Sequence, residues 1–394
     1  MENTRMAISL PDWPGQDEVV TRIERLRENL ATAKIDALLV TSQHNFEYYT
    51  GFRTLFWLSD TRPLFAVIRR DEPGATIVAS RVEEKNEHSG RNPLVRPIFY
   101  DGFTDDAIVA VGQVLSKLPS GSSIGVDYGR DMFGRGSMAL VDYLSGDPNC
   151  CTLTDAADLI WKQRVVKSSH ELQAVKNACH IATEAFFEGL PDLRIGMTEY
   201  EFGQRLKQRM IGLGADSVDW LPVRFGRGGR AYPQPNSGVE LKRDDFIWAD
   251  IGVRRADQIS DLSRVAKVGK ATAEQEDLYG YVRAVTHRLA EGIRPGMTGH
   301  DAFTLFEKLW SERQLTRVSS AGRVGHGSGI ALTEPPSLMA GSQEVILEDM
   351  VLHVEPKLEA AGGVFQVEEV FRVTASGPEF LSPLAPEKLP IVDL

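Results

Sequence analysis

Asp245-Phe246-Ile247-Trp248-Ala249-Asp250-Ile251-Gly252-Val253, then the polar turn Arg254-Arg255-Ala256-Asp257-Gln258, then Ile259-Ser260-Asp261-Leu262-Ser263-Arg264-Val265, is the stretch whose reading decides the fold. Its apolar strand residues flank a polar turn, so it reads as a β-hairpin with one acid in each strand. A second hairpin repeats the plan: Val351-Leu352-His353-Val354-Glu355-Pro356, a short Ala/Gly connection, then Val364-Phe365-Gln366-Val367-Glu368-Glu369-Val370-Phe371-Arg372-Val373. Acids among apolar strand residues are costly to bury unpaired, so each calls for a cation. Four oxygen donors (Asp250, Asp261, Glu355 and Glu368) and one imidazole (His326) suit two divalent ions such as Mn, Co or Fe, and not a thiolate-rich structural zinc. Neighbours on a strand face opposite sides, so the pattern alone leaves open whether Glu368 or Glu369 is the ligand.

Working outward, helical patterns at 272–292 and 299–313 separate the hairpins, and a similar pair precedes the first. That pair runs from a cap at Ser168 or Ser169 to Phe187, and from Thr198 to Leu213. Helix pair, hairpin, helix pair, hairpin implies a duplicated half: a curved sheet covered by helices, with the acids on its concave side. Upstream, a helix over 17–33 leads into the strand Ile35–Val40. Further strands at 64–68, 75–79, 95–99 and 123–126 alternate with helices near 105–117 and 135–145, the pattern of an α/β domain. The expected organisation is an α/β domain over 1–157 and an α+β domain over 158–394.

With 394 residues the chain has room for two cores, and its 42% hydrophobic and 25% charged residues are those of a soluble globular protein. A formal charge of −11 without a basic tract argues against nucleic acid or an anionic membrane as partner. Cys150, Cys151 and Cys179 make no metal or redox motif. Met1 to Gln16 lacks the apolar core of a secretory leader, and no run approaches the ~20 apolar residues of a membrane span. The expected setting is cytoplasmic.

Taken together, these motifs resemble the pita-bread metallohydrolases, the family of creatinase, prolidase and aminopeptidase P. Trp248-Ala249-Asp250-Ile251-Gly252 with Ser260-Asp261-Leu262-Ser263-Arg264 resembles the family's Asp-x-Gly…Ser-Asp-x-Thr-Arg hairpin. Gly325-His326-Gly327-Ser328-Gly329 with Glu334-Pro335-Pro336 resembles its Gly-His-Gly-x-Gly turn and Glu-x-Pro. Val354-Glu355-Pro356 and Val367-Glu368-Glu369 resemble the last two ligand strands. Ala37–Ser42 followed by Tyr48-Tyr49-Thr50-Gly51-Phe52 resembles the creatinase-type N-terminal domain. The resemblance implies a pita-bread catalytic domain behind a creatinase-like N-terminal domain. It also implies two divalent metal ions on Asp250, Asp261, His326, Glu355 and Glu368, with Asp261 and Glu368 bridging. Manganese leads the candidate metals, with Co, Fe and Zn as alternatives. Glu355, as proton shuttle for a metal-bridging hydroxide, and His326 are the catalytic candidates. It implies a homodimer too, whose N-terminal loop, carrying Trp57 and Arg62, reaches the partner's active site; a core tryptophan is the competing reading for Trp57.

The chain departs from the family's peptidases where they carry three further histidines: Pro233, Gly322 and Thr333 stand there instead. Each such donor is worth roughly 3 kcal/mol to a tetrahedral transition state. The family's Arg-x-Glu reads Gln366-Val367-Glu368. Candidates to take over substrate binding are Arg224, Arg227, Arg230, Tyr232, Arg323 and His353, the arginines for an anionic group and His353 because it shares a strand face with Glu355. A solvated loop and a packed histidine are the competing readings. The expected function is hydrolysis of a C–N bond, an amide, in a small anionic non-peptide substrate. The alternatives are a divergent Xaa-Pro dipeptidase and a metal-dependent lyase of a small organic acid with Tyr232 as a candidate base. A non-enzymatic binding module is disfavoured because all five ligand types are kept.

Overall fold

The computed structural model describes residues 13–86, 93–129, 132, 134, 137–146, 151–226, 232–236, 238–313, 315 and 322–394. They form two compact units, Pro14–Arg164 and a second made chiefly of Val165–Leu394. The sequence reading divided the chain at 157/158; the helix Ala157–Arg164 goes instead with the first unit.

The first unit contains α1 (Gln16–Ala33), β1 (Ala37–Val40), α2 (Gln43–Thr50), β2 (Phe65–Arg69), β3 (Ala75–Ser80), β4 (Val95–Tyr100), α3 (Thr104–Leu115), β5 (Ser122–Val126), α4 (Met138–Gly146), β6 (Cys151–Asp155) and α5 (Ala157–Arg164). One mixed sheet has the order β4-β3-β2-β1-β5-β6, antiparallel only where β2 meets its neighbours. Buried Asp127 ties β5 to the start of α2: its carboxylate accepts from the backbone N–H groups of Thr41 and Ser42, the Thr41 hydroxyl and the Asn45 amide. That carboxylate is satisfied wholly by the protein.

The second unit opens with α6 (Ser169–Gly189) and α7 (Glu199–Gly212), followed by β7 (Ser217–Trp220), β8 (Val223–Phe225), β9 (Phe246–Asp250), β10 (Gly252–Arg255), β11 (Gln258–Ile259) and β12 (Ser263–Val268). The plan then repeats with α8 (Ala273–Gly292), α9 (Gly299–Trp310), β13 (Arg323–Gly327), β14 (Glu334–Met339), β15 (Val351–Val354), β16 (Lys357–Ala360), β17 (Gly363–Gln366) and β18 (Glu369–Thr374), ending in β19 (Gly377–Phe380) and β20 (Ile391–Val392). All four helices start on one device. Ser168, Thr198, Thr272 and Thr298 accept from the backbone N–H three residues on, whose side chain reaches back. Each such cap contributes ~1 kcal/mol and fixes where the helix begins.

Neither acid-bearing hairpin is continuous. In the first, β9 pairs with β12 in one sheet, while β10 and β11 form a tip that joins β7 in another. The strands break at Ile251 and at Ser260–Leu262, beside Asp250 and around Asp261. In the second, β15 pairs with β18 and the tip is β16–β17, with breaks at Glu355-Pro356 and Val367-Glu368. Every acid of the set thus stands at or beside the point where a strand leaves its sheet. Alternation sorts the faces of β9: Ile247 and Ala249 pack with Phe186, Phe202 and Leu206 of the helices, which leaves Trp248 and Asp250 on the opposite face.

Candidate metal centre

Asp250, Asp261, His326, Glu355 and Glu368 lie in one neighbourhood, close enough for their charges to act on one another. Asp250 closes β9 opposite Ser263 of β12, and its Oδ1 is buried without a hydrogen-bond partner. His326 lies on β13; its Nε2 is 3.4 Å from Asp261 Oδ2 and 3.6 Å from Glu355 Oε1. Its Nδ1 is 2.9 Å from the Gly327 carbonyl, an acceptor only, so Nδ1 carries the hydrogen and the Nε2 lone pair faces the acids. Glycine is required on both sides: a Cβ at Gly325 would run into the His353 carbonyl, and one at Gly327 into the Pro335 carbonyl. The Glu355 amide is held by the Val324 carbonyl at 3.0 Å, so β13 positions two of the five side chains.

The electrostatics are those of crowded, buried acids. Burial, then the charges of Asp250, Glu368 and Glu355, drives the Asp261 carboxyl well above its ordinary range. Burial, then Glu368 and Asp250, does the same to Glu355, with Arg323 and Lys357 opposing. Glu368 is raised by burial and Asp250, against the N–H of Ser263 and the charge of Arg264. His326 is pushed well below its ordinary value by burial, by neighbouring His353 and by Arg323, so its imidazole is neutral. Raised acids, a neutral imidazole with a free lone pair and an orphaned carboxylate oxygen fit divalent cations. Glu368 answers the question left open by strand pattern. It joins the set, while Glu369 turns away to Arg264 and His287, 3.3 Å each, Ser382 Oγ at 2.7 Å and the Ala385 N–H at 2.8 Å.

The expected substrate residues are placed less uniformly. Tyr232 lies 5.6 Å, ring to ring, from both Trp220 and Trp248, and the Lys357 ammonium lies 5.0 Å from its ring. Arg323 starts β13 and reaches Thr333 Oγ1 at 3.4 Å, where its charge acts on Glu355 and His326. Arg224 stands opposite Trp248 on β8 and its guanidinium approaches buried Glu199 at 3.9 Å. Arg227 and Arg230 lie outside the described residues. His353 is a correction. It is fully buried, with Nδ1 3.0 Å from Glu368 Oε1 and Nε2 2.6 Å from Ser328 Oγ, so no ring nitrogen is left for a substrate. Burial pushes its pKa down to about 3. In the first unit, Trp57 is buried edge-on against Phe46, 5.3 Å between centroids, and the Arg62 guanidinium lies 5.0 Å from the Phe103 ring.

Two residues were missed. Lys357, two beyond Glu355, is buried with Nζ 4.3 Å from the Trp248 ring and 5.0 Å from that of Tyr232, near Asp250 and Glu355. Gln366 accepts from Trp248 Nε1 at 2.8 Å and donates to Glu355 Oε2 at 3.3 Å. Lys357 falls in the connection expected after Pro356, among Glu355, Pro356 and Glu359, where a lysine carries no signal; Gln366 stands in the sequence reading only where the family has an arginine.

Residues 173–375 match metallopeptidase family M24, and residues 22–166 match the creatinase/prolidase N-terminal domain. The chain is 23% identical to a Xaa-Pro dipeptidase of Pyrococcus furiosus over 368 residues, 92% of this chain and 97% of that protein. An uncharacterized peptidase of Bacillus subtilis is 26% identical over 361 residues, 90% of this chain and 96% of that protein. Among solved structures, a Xaa-Pro dipeptidase from Bacillus anthracis superposes with a TM-score of 0.80 at 24% identity, covering 95% of this chain and 99% of that one. A prolidase from Thermococcus sibiricus also gives 0.80, at 20% identity and 95% and 98% coverage. These likenesses establish the two-part, pita-bread fold.

Proposed function

The chain belongs to metallopeptidase family M24, the metal-dependent hydrolases of the Xaa-Pro peptidase and creatinase type, and within it we propose a dinuclear enzyme that cleaves the amide C–N bond of a small, carboxylate-bearing, non-peptide substrate. One observation carries the reading: Asp261 and Glu355 approach the Nε2 of neutral His326 at 3.4 and 3.6 Å, with the charges of Asp250 and Glu368 bearing on both acids. Asp250, Asp261, His326, Glu355 and Glu368 would hold two divalent ions, manganese first by donor type, then cobalt, iron or zinc. When bound, such ions supply Lewis acidity and a nucleophile at neutral pH.

The protein's own groups do the rest. Glu355, whose side chain is 18% exposed against 1% for Glu368, is the acid placed to take a proton and return it to the leaving nitrogen. Gln366 fixes that carboxylate, and Trp248 fixes Gln366. Lys357 and Arg323 bring positive charge to the same neighbourhood, which supports an anionic substrate. Thr333 and Pro233, at histidine positions of the family's peptidases, support a non-peptide one. We also propose a homodimer, with the Trp57–Arg62 loop near the partner's site; Leu55 and Leu58, 83% and 86% exposed, support an apolar contact there.

Similarity to the Pyrococcus furiosus Xaa-Pro dipeptidase favours a second reading, cleavage of dipeptides ending in proline. The test is metal content of the purified chain, then turnover of Ala-Pro and of small N-acyl amino acids by the same metal-loaded sample. Two ions, slow Ala-Pro cleavage and faster N-acyl turnover are expected. Brisk Ala-Pro cleavage would replace the first reading by the second. A product without label in heavy-oxygen water would replace hydrolysis by elimination.

A further inference from the structure

His353 and Ser328 are not among the five expected ligands, yet they form a continuous buried chain with Glu368. Cross-strand pairing of β13 and β15 sets His353 beside His326, rings 5.0 Å apart and 10° from parallel. Ser328 Oγ lies 2.6 Å from His353 Nε2, and His353 Nδ1 lies 3.0 Å from Glu368 Oε1. The other oxygen, Oε2, accepts the Ser263 N–H at 2.9 Å, so Glu368 is gripped at both ends. All three side chains of the chain are buried.

The donor inventory gives this chain one direction. A carboxylate that binds a cation is ionised and can only accept, so Nδ1 carries the ring hydrogen and donates to Oε1. The neutral ring then offers Nε2 as an acceptor, which needs a donor, and the Ser328 hydroxyl is within reach of it. We propose that Ser328 and His353 are positioning residues: the hydroxyl fixes the tautomer of His353, and His353 fixes the Glu368 carboxylate for cation binding. The competing arrangement has His353 itself as a ligand, since Asp261, His353 and Glu368 each offer an atom within 4.8 Å of the others. A nitrogen that carries the hydrogen has no lone pair for a cation. That arrangement therefore requires the opposite tautomer, with Nε2–H donating to Ser328.

The inference rests on the proposed metal centre but not on any turnover. Cobalt(II) alone is the probe, titrated into the full metal-free chain, with affinity, stoichiometry and visible absorption as readouts. Ser328→Ala and His353→Leu are expected to weaken cobalt binding roughly 10- to 100-fold and shift the absorption, with two ions still bound at saturation. His353→Asn, which keeps a donor near the Nδ1 position, is expected to recover most of the loss. Thermal unfolding of each metal-free variant separates this from misfolding, and Ser328→Ala removes only one hydroxyl. Unchanged affinity in both Ser328→Ala and His353→Leu would overturn the proposal. So would saturation at one ion in His353→Leu with no effect of Ser328→Ala, which would make His353 a ligand. If the unaltered chain binds no cobalt, the metal reading itself fails before any variant is compared.

Discussion

Glu368 and Glu369 are consecutive, both almost wholly buried, and built into opposite environments. Around Glu369 the protein supplies what the carboxylate needs: the Arg264 guanidinium, the His287 ring, the Ser382 hydroxyl and the Ala385 N–H. Burial alone would raise its pKa, but Arg264 and those hydrogen bonds hold it below the ordinary value. Around Glu368 the neighbours include Asp250, Asp261 and Glu355, and every shift that is resolved in that set is upward. Burial is therefore not what separates a structural acid from a functional one. The distinguishing feature is whether the fold brings the compensating charge with it or leaves it to a ligand.

The largest effect should come from the uncompensated side. Asp261→Asn removes a proposed ligand, and the expected loss is roughly 10³-fold or more in turnover, several kcal/mol of Lewis-acid stabilisation, with fewer ions bound. Elemental analysis beside the rate assay checks it. If activity fell while two ions stayed bound, Asp261 would be a catalytic group and not a ligand. On the compensated side the same chemistry should read out as stability. Glu369→Leu leaves Arg264 buried without its carboxylate, so unfolding should be easier by about 3–5 kcal/mol, with the ion count unchanged. Denaturant unfolding of the metal-loaded protein measures this, and loss of an ion there would erase the distinction drawn between the two glutamates.

Much of this contrast was legible in the chain and some was not. Asp250, Asp261, His326, Glu355 and Glu368 announced themselves by type, order and spacing, and the helix starts at Ser168, Thr198, Thr272 and Thr298 by local capping chemistry. The choice between Glu368 and Glu369 was not legible from strand pattern, because the partners that decide it lie elsewhere in sequence: Ser263 and Arg264 more than a hundred residues earlier, and His287 eighty-two residues before Glu369. The breaks within the hairpins escaped for a related reason. Alternation continues through Ile251 and Val367, so sequence shows no interruption where the strands change sheets. His353 was read by face, which is right for a regular strand, but the Glu355-Pro356 break separates it from that face's continuation, and Ser328 and Glu368 occupy both its nitrogens.

The two sides should also answer pH oppositely in the metal-free protein. Asp261, Glu355 and Glu368 have folded-state pKa values above their unfolded ones, so the folded state keeps protons that the unfolded chain releases. Their contribution to stability is complete below about pH 4 and is lost as pH rises through the raised values. Glu369 is depressed, so its contribution is present above its ordinary range and lost as the solution is acidified. The melting temperature of metal-free protein should thus fall from pH 5 to pH 8 relative to the metal-loaded form, where bound cations compensate the acids. Parallel curves would mean that the acids are already compensated without metal.

The smallest predicted effect concerns Lys357, which stands at the border of the two kinds of environment. Its stem is buried and its ammonium lies against Trp248 and Tyr232, as in a packed structural cation, yet Asp250 and Glu355 are the charges that favour its protonated form most. If it serves substrate, Lys357→Met should raise the KM for a carboxylate-bearing substrate about tenfold, the ~1.5 kcal/mol of one charge-assisted hydrogen bond, and leave the corresponding carboxamide unaffected. If it serves the acids, as Arg264 serves Glu369, both substrates should suffer alike and the metal-free protein should lose stability. The ratio of the two KM changes, measured on one preparation, assigns Lys357 to one side of the comparison or the other.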